Sequence, residues 1–76
     1  MIELINYLIG QIVDHPKEIK VEEKIVGDNS YLYFLQANKE DIGKIIGRDG
    51  KMIQAIRNIL KIMAIKENKQ IRLEIL

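Results

Sequence analysis

Between Ile42 and Ile56 the chain reads Ile-Gly-Lys-Ile-Ile-Gly-Arg-Asp-Gly-Lys-Met-Ile-Gln-Ala-Ile, and no other stretch restricts the possible folds as much. Ile42, Ile45 and Ile46 lead into Gly47-Arg48-Asp49-Gly50, and Ile53 and Ile56 follow it, at the three- and four-residue spacing of one helix face. The spacing predicts a helix on each side of a tight loop. Two glycines three apart let the main chain turn sharply and let a ligand approach the peptide plane, because neither carries a Cβ. The helix that starts at Gly50 has first amides with no intrahelical acceptor and the positive end of the helix dipole, so an anion such as a backbone phosphate is the natural partner. Arg48 and Lys51 bracket the spot with positive charge, and the loop reads as a backbone clamp for nucleic acid.

A net charge of +1 looks small for such a partner until it is divided along the chain. From Met1 to Ile42 only Lys17, Lys20, Lys24 and Lys39 are basic, against eight acidic residues. From Gly43 to Met63 the balance reverses, with Lys44, Arg48, Lys51, Arg57 and Lys61 against Asp49 alone. That segregation is the electrostatic footprint a phosphate chain needs. Lys61 taken alone reads as a solvated lysine; Lys44, Arg48 and Lys51 together read as phosphate contacts.

Seventy-six residues make one domain, spanning 1–76, near the lower size limit for a self-sufficient core. A hydrophobic fraction of 47% excludes a disordered chain. The absence of cysteine excludes a disulfide scaffold and a thiolate metal site and fits a reducing compartment. The longest uncharged runs, Leu4–Val13 and Asn29–Asn38, are too short to span a bilayer, and the first lacks a basic lead-in, so neither a transmembrane helix nor a signal peptide is expected.

Met1 to Asp14 reads as an amphipathic helix with Ile5, Leu8, Ile9 and Ile12 on one face, ended by Asp14-His15-Pro16. Gly10 inside it is expected to permit close helix-on-sheet contact. His15 is the only histidine, with no companion for a zinc site, and reads as a helix-end residue. Ile19–Val26 is predicted as an edge strand, Gly27-Asp28-Asn29-Ser30 as a turn and Tyr31–Ala37 as a more central strand, together a hairpin. Tyr31, Tyr33 and Phe34 are assigned to core and cross-strand packing rather than base stacking. Asn38-Lys39-Glu40-Asp41 resembles a capping box for a helix ending at Ile46, with Gly43 leaving its surface open to close approach. A second helix is predicted from about Lys51 to Glu67, with Gln54, Arg57, Asn58 and Lys61 on one polar stripe. Met52, Ile53, Ile56, Leu60 and Met63 are assigned to the sheet-facing side. Ala55, Ile59 and Ile62 fall on an adjoining apolar face, expected to be a dimer interface because contiguous exposed apolar patches mark interfaces. Ile71-Arg72-Leu73-Glu74-Ile75 alternates with period two and is the third strand.

Ile45-Ile46-Gly47-x-x-Gly50-x-x-Ile53, set between two helical segments in an αββααβ pattern, resembles the signature of the KH domain, an RNA-binding module whose Gly-x-x-Gly loop clamps about four nucleotides. The resemblance covers essentially the whole chain and is closest to the small stand-alone bacterial proteins of the KH-protein A family. It implies an α+β fold of the type II KH class, with a three-stranded sheet and three helices on one face. It further implies single-stranded RNA held at Gly47, Arg48, Asp49 and Gly50, with Ile42, Ile45, Ile46 and Ile53 as an aliphatic groove wall and Lys44 and Lys51 adding attraction. Asp49 offsets Arg48, so the expected affinity is modest, salt-sensitive and weakly sequence-selective. The resemblance also implies a cytoplasmic RNA chaperone or post-transcriptional regulator linked to cell shape and envelope homeostasis. Its implied partners are a second copy or a larger KH-domain RNA-binding protein, with no cofactor, metal, membrane or small-molecule substrate.

The competing reading is a KH-fold module for protein interaction or ribosome assembly with little RNA binding of its own. An enzyme is not expected. Gly47-Arg48-Asp49-Gly50-Lys51 resembles a P-loop only superficially, because the glycine spacing differs and Met52 stands where a magnesium-binding hydroxyl is required. No nucleophile with a base stands out at workable spacing.

Overall fold

The order of elements follows the predicted αββααβ pattern. The computed structural model describes residues 1–76. It contains α1 (Ile2–Gly10), β1 (Lys20–Gly27), β2 (Ser30–Gln36), α2 (Lys39–Ile46), α3 (Lys51–Lys66) and β3 (Gln70–Ile75), with short 3-10 turns at Pro16–Glu18 and Arg48–Gly50.

β1 and β2 form the expected antiparallel hairpin, turning at Asp28 and Asn29, where Asn29 takes a left-handed φ of 57°. β3 pairs with the other side of β2 in parallel, which gives the order β1-β2-β3 and makes β2 central. A parallel neighbour requires a long crossover, and α2, the glycine loop and α3 are that crossover. Register places Val21, Leu35 and Ile75 in one row, Glu23, Tyr33 and Leu73 in the next, and Ile25, Tyr31 and Ile71 in the third. These rows share a face because side chains alternate along a strand. Every fully buried sheet residue lies in them, packed against Ile5 and Ile9 of α1, Ile45 of α2, and Ile53, Ile56 and Leu60 of α3. The three helices therefore cover one face of the sheet. The opposite face carries Glu22, Phe34 and Glu74 in one row and Lys24, Leu32 and Arg72 in the next, so Phe34 packs across strands outside the core.

Several local expectations are adjusted by packing. α1 ends at Gly10 rather than near Asp14. The amides of Gln11 and Ile12 reach back only three residues, to Leu8 and Ile9, and this tighter turn carries Val13 into the core. On α3 the buried row is Ile53, Ile56, Leu60 and Ala64, while Met52 and Met63 stay exposed at its margin. Ala64, four residues beyond Leu60, continues the inward row, whereas both methionines lie further round the helix. Nothing lies within 4 Å of a Cβ built at Gly10 or Gly43, so neither glycine answers to a close neighbour.

Candidate nucleic-acid interface

The loop between α2 and α3 is made by three positions of positive φ that favour glycine or a short polar residue, with Arg48 between the first and the second. Gly47 ends α2 with φ 76° and ψ 174°, its amide donating to the Gly43 carbonyl at 2.9 Å. Asp49 and Gly50 follow in the left-handed region at φ 57° and 72°, and the Gly50 amide donates to the Gly47 carbonyl at 3.2 Å. The two glycines are needed for different reasons. A Cβ on Gly47 would sit 2.5 Å from the Met52 Cβ and 2.9 Å from the Met52 amide nitrogen, whereas one on Gly50 meets nothing within 4 Å. Met52 thus packs under the first glycine and sets the entry of α3. Gly50 is the N-cap of α3 and supplies no side-chain acceptor; the Lys51 amide donates instead to the Arg48 carbonyl, and no side chain caps the first turn of the helix.

Around this opening Arg48, Asp49 and Lys51 are exposed. The four isoleucines divide. Ile45 is sealed in the core and Ile53 nearly so, supporting the loop from beneath; Ile42 is half-buried and Ile46 exposed, the two that present aliphatic surface beside the loop. From Lys51 the polar stripe of α3 continues through Gln54 and Asn58 to Lys61, all exposed, about 10 Å separating Lys51 from Asn58 at 1.5 Å per residue. It leads into a groove of about 410 Å³ between α3 and the free edge of β3, lined by Arg57, Asn58, Leu60 and Lys61 on one side and Ile71, Arg72, Leu73 and Glu74 on the other. The Arg57 Nε donates to the Leu73 carbonyl at 3.2 Å, bridging the floor, and Arg72 pairs with Glu74 at 3.2 Å. Three cations and one carboxylate leave this groove positive. The sequence places Arg57 and Lys61 in the basic footprint and on the polar stripe of α3, Lys61 by itself reading as solvated, and points to no role for Arg72. The period-two pattern was the one available signal, placing Arg72 away from the core.

Lys44 stands exposed on α2. Its ammonium pairs with Asp14, which holds the Lys44 pKa above its ordinary value. The predicted capping box is only half realised. Asn38 accepts the Glu40 amide at 2.8 Å, but Asp41 does not return to the start of the helix. It is fully buried and accepts the amides of Asp14 at 3.2 Å and His15 at 3.0 Å, with the His15 Nδ1 at 3.0 Å. Burial pushes the Asp41 carboxyl up, and these donors outweigh it, so its pKa falls below the ordinary 3.8. The bond to Asp41 raises His15 above 6.5. Tyr33, buried in the sheet, donates its hydroxyl to Glu23 at 2.7 Å; burial and this bond both push its ionisation up. Ala55, Ile59 and Ile62 all lie exposed on α3, Ile59 at 43% and Ile62 at 57%.

A three-stranded β1-β2-β3 sheet backed by helices, two of them joined through an open Gly-x-x-Gly loop, defines a KH-type domain. Comparison with known proteins narrows the class. The family model described as KhpA/KhpB, KH domain matches residues 2–75, and the chain belongs to this family. It is 40% identical over 76 residues to the RNA-binding protein KhpA of Clostridium perfringens, covering all of both chains. It is 41% identical to that of Chlamydia pneumoniae over the whole of this chain and 96% of the relative. The counterpart from Borreliella burgdorferi is 41% identical over 99% of this chain and 90% of its own. No solved structure matches.

Proposed function

We propose that this protein binds single-stranded RNA, with Gly47, Arg48, Asp49 and Gly50 holding the sugar-phosphate backbone. The observation that carries this reading is the uncapped start of α3 behind a left-handed glycine loop, flanked by Arg48 and Lys51. A helix start with no side-chain cap and two cations are the donors a phosphate requires. Bases leaving the clamp meet Ile42 and Ile46 and then the positive groove between α3 and β3, where Arg57 and Arg72 stand. The relatives named as RNA-binding proteins support the same assignment. Lys44 contributes long-range attraction in this reading, moderated by Asp14.

Within the family reading the protein acts in the cytoplasm as an RNA chaperone or post-transcriptional regulator connected with cell shape and envelope homeostasis. It works as a pair, either with itself or with a larger KH-domain protein; the joint family description, KhpA/KhpB, supports the second pairing. The exposed Ala55, Ile59 and Ile62 stripe is the proposed contact, and pairing two short clamps raises affinity through effective concentration. The same stripe supports the alternative of a protein-interaction module.

The test is binding of a short unstructured RNA by wild type and by Arg48→Asp at two salt concentrations, with folding followed by circular dichroism. Wild type is expected to bind with salt-dependent affinity. The variant should stay folded, bind weakly, and lose about 0.7 or more from the log–log salt slope, the contribution of one phosphate contact on a single strand. Equal binding by both proteins would remove the clamp from the mechanism.

A further inference from the structure

α2 is only eight residues long, and two side chains one turn apart, Asp41 and Ile45, are its buried anchors. Ile45 is held by apolar packing in the common core. Asp41 is held by polar bonds to a distant part of the chain, the connection between α1 and β1, through the amides of Asp14 and His15 and the His15 ring. It is the one charged side chain buried in the molecule. A buried carboxylate is costly unless its oxygens are bonded, and here both are, Oδ1 by Asp14 and Oδ2 by His15 twice. The backbone partner Asp14 in turn pairs with Lys44 one turn further along α2. The connection thus grips the helix at two points on the approach to the loop, which opens at Gly47, six residues and about 9 Å beyond Asp41.

We propose that Asp41 is a positioning residue for the clamp, fastening α2 to the α1–β1 connection so that Gly47–Gly50 is held in its binding conformation, and that protonation of His15 tightens this fastening. The proposal rests on the RNA-binding reading above. His15 is the only side chain in the protein whose ordinary titration lies between about pH 5 and 8. The groups facing it are Asp41 and Glu40 from α2 and Glu18 from its own connection, all acidic and all favouring the charged ring. Lys44, which faces Asp41, is neutralised by Asp14. A neutral ring with its proton on Nδ1 still donates to Asp41, but the bond loses its charge assistance and more of the latch falls on the two backbone amides. RNA held at the loop brings phosphate charge to about 9 Å from this latch along α2, so bound RNA and the protonated ring favour one another.

Two measurements separate this proposal from the RNA reading. In the RNA-free protein, NMR follows the His15 ring and the amides of Gly47, Arg48, Asp49 and Gly50 from about pH 6 to about pH 8. The loop amides are expected to shift with the midpoint of the His15 ring and to stay flat in His15→Gln. Over the same range, wild-type affinity for a short single-stranded RNA should weaken about threefold as pH rises, the linkage expected when bound RNA moves the His15 midpoint by about half a pH unit. His15→Gln should bind with no such slope. Asp41→Asn, which keeps one acceptor and places an amide against the donors, should weaken binding at every pH; if it fails to fold, His15→Gln decides alone. Loop amides that ignore the His15 titration, or a His15→Gln variant that keeps the wild-type slope, would overturn the proposal. Absence of RNA binding at any pH would instead overturn the RNA reading, with the NMR titration still deciding whether the latch reaches the loop.

Discussion

At the scale of single residues the loop between α2 and α3 depends on two glycines that are not equivalent. Gly47 occupies a region at φ 76° and ψ 174° that is open essentially to glycine alone, and its missing Cβ is the space Met52 fills. Gly50 occupies the left-handed helical region, where other residues pay about 1–2 kcal/mol, and has free space around it. Gly47→Ala is therefore expected to destabilise the fold by about 3 kcal/mol or more and to displace α3, while Gly50→Ala costs about 1 kcal/mol. Urea denaturation of the two variants checks the ranking, and a reversed order would show that Met52 moves aside freely. Asp49 already tolerates the left-handed region, as short polar residues do.

At the scale of elements α3 has three faces with different tasks. Ile53, Ile56, Leu60 and Ala64 face the sheet, the polar stripe from Lys51 to Lys61 borders the groove, and Ile59 and Ile62 face outward. Leu60 is sealed between α3 and β3, so Leu60→Ala leaves a cavity and should cost about 2–5 kcal/mol. Ile62→Ala, measured by denaturation at low protein concentration where any dimer has dissociated, should cost about 0.5 kcal/mol or less. A large loss at Ile62 under those conditions would place it in the monomer core.

At the scale of the molecule the chain exposes 5444 Å², whereas a compact monomer of 8.8 kDa exposes about 4,800 Å². The excess includes Ile59, Ile62 and Met63 along the outer side of α3. A second surface pressed on that stripe removes apolar area from water, which is the driving force for association. Ile59→Glu should accordingly yield a folded monomer by sedimentation while circular dichroism stays unchanged. A variant that still sediments as a dimer would move the interface elsewhere.

The sequence by itself determined what depends on neighbours along the chain. Helix spacing of isoleucines around Gly47 and Gly50, period-two alternation at Ile71–Ile75 and the turn at Asp28-Asn29 specify αββααβ, because each element is dictated within a few residues. The exposed Ile59 and Ile62 were legible for the same reason, since a helix with apolar residues on too many faces must leave some uncovered. Tertiary structure alone decided what depends on distant partners. Asp41 read as a capping residue, and only the arrival of amides 26 and 27 residues away turned it into a buried anchor. Lys44 lost part of its freedom to an aspartate 30 residues earlier. The groove with Arg57 and Arg72 exists because β3 pairs in parallel with β2 and lies as the free edge beneath α3, a choice no local period encodes. Side-chain periodicity reports which way a residue points, and only the packed fold supplies what it meets there.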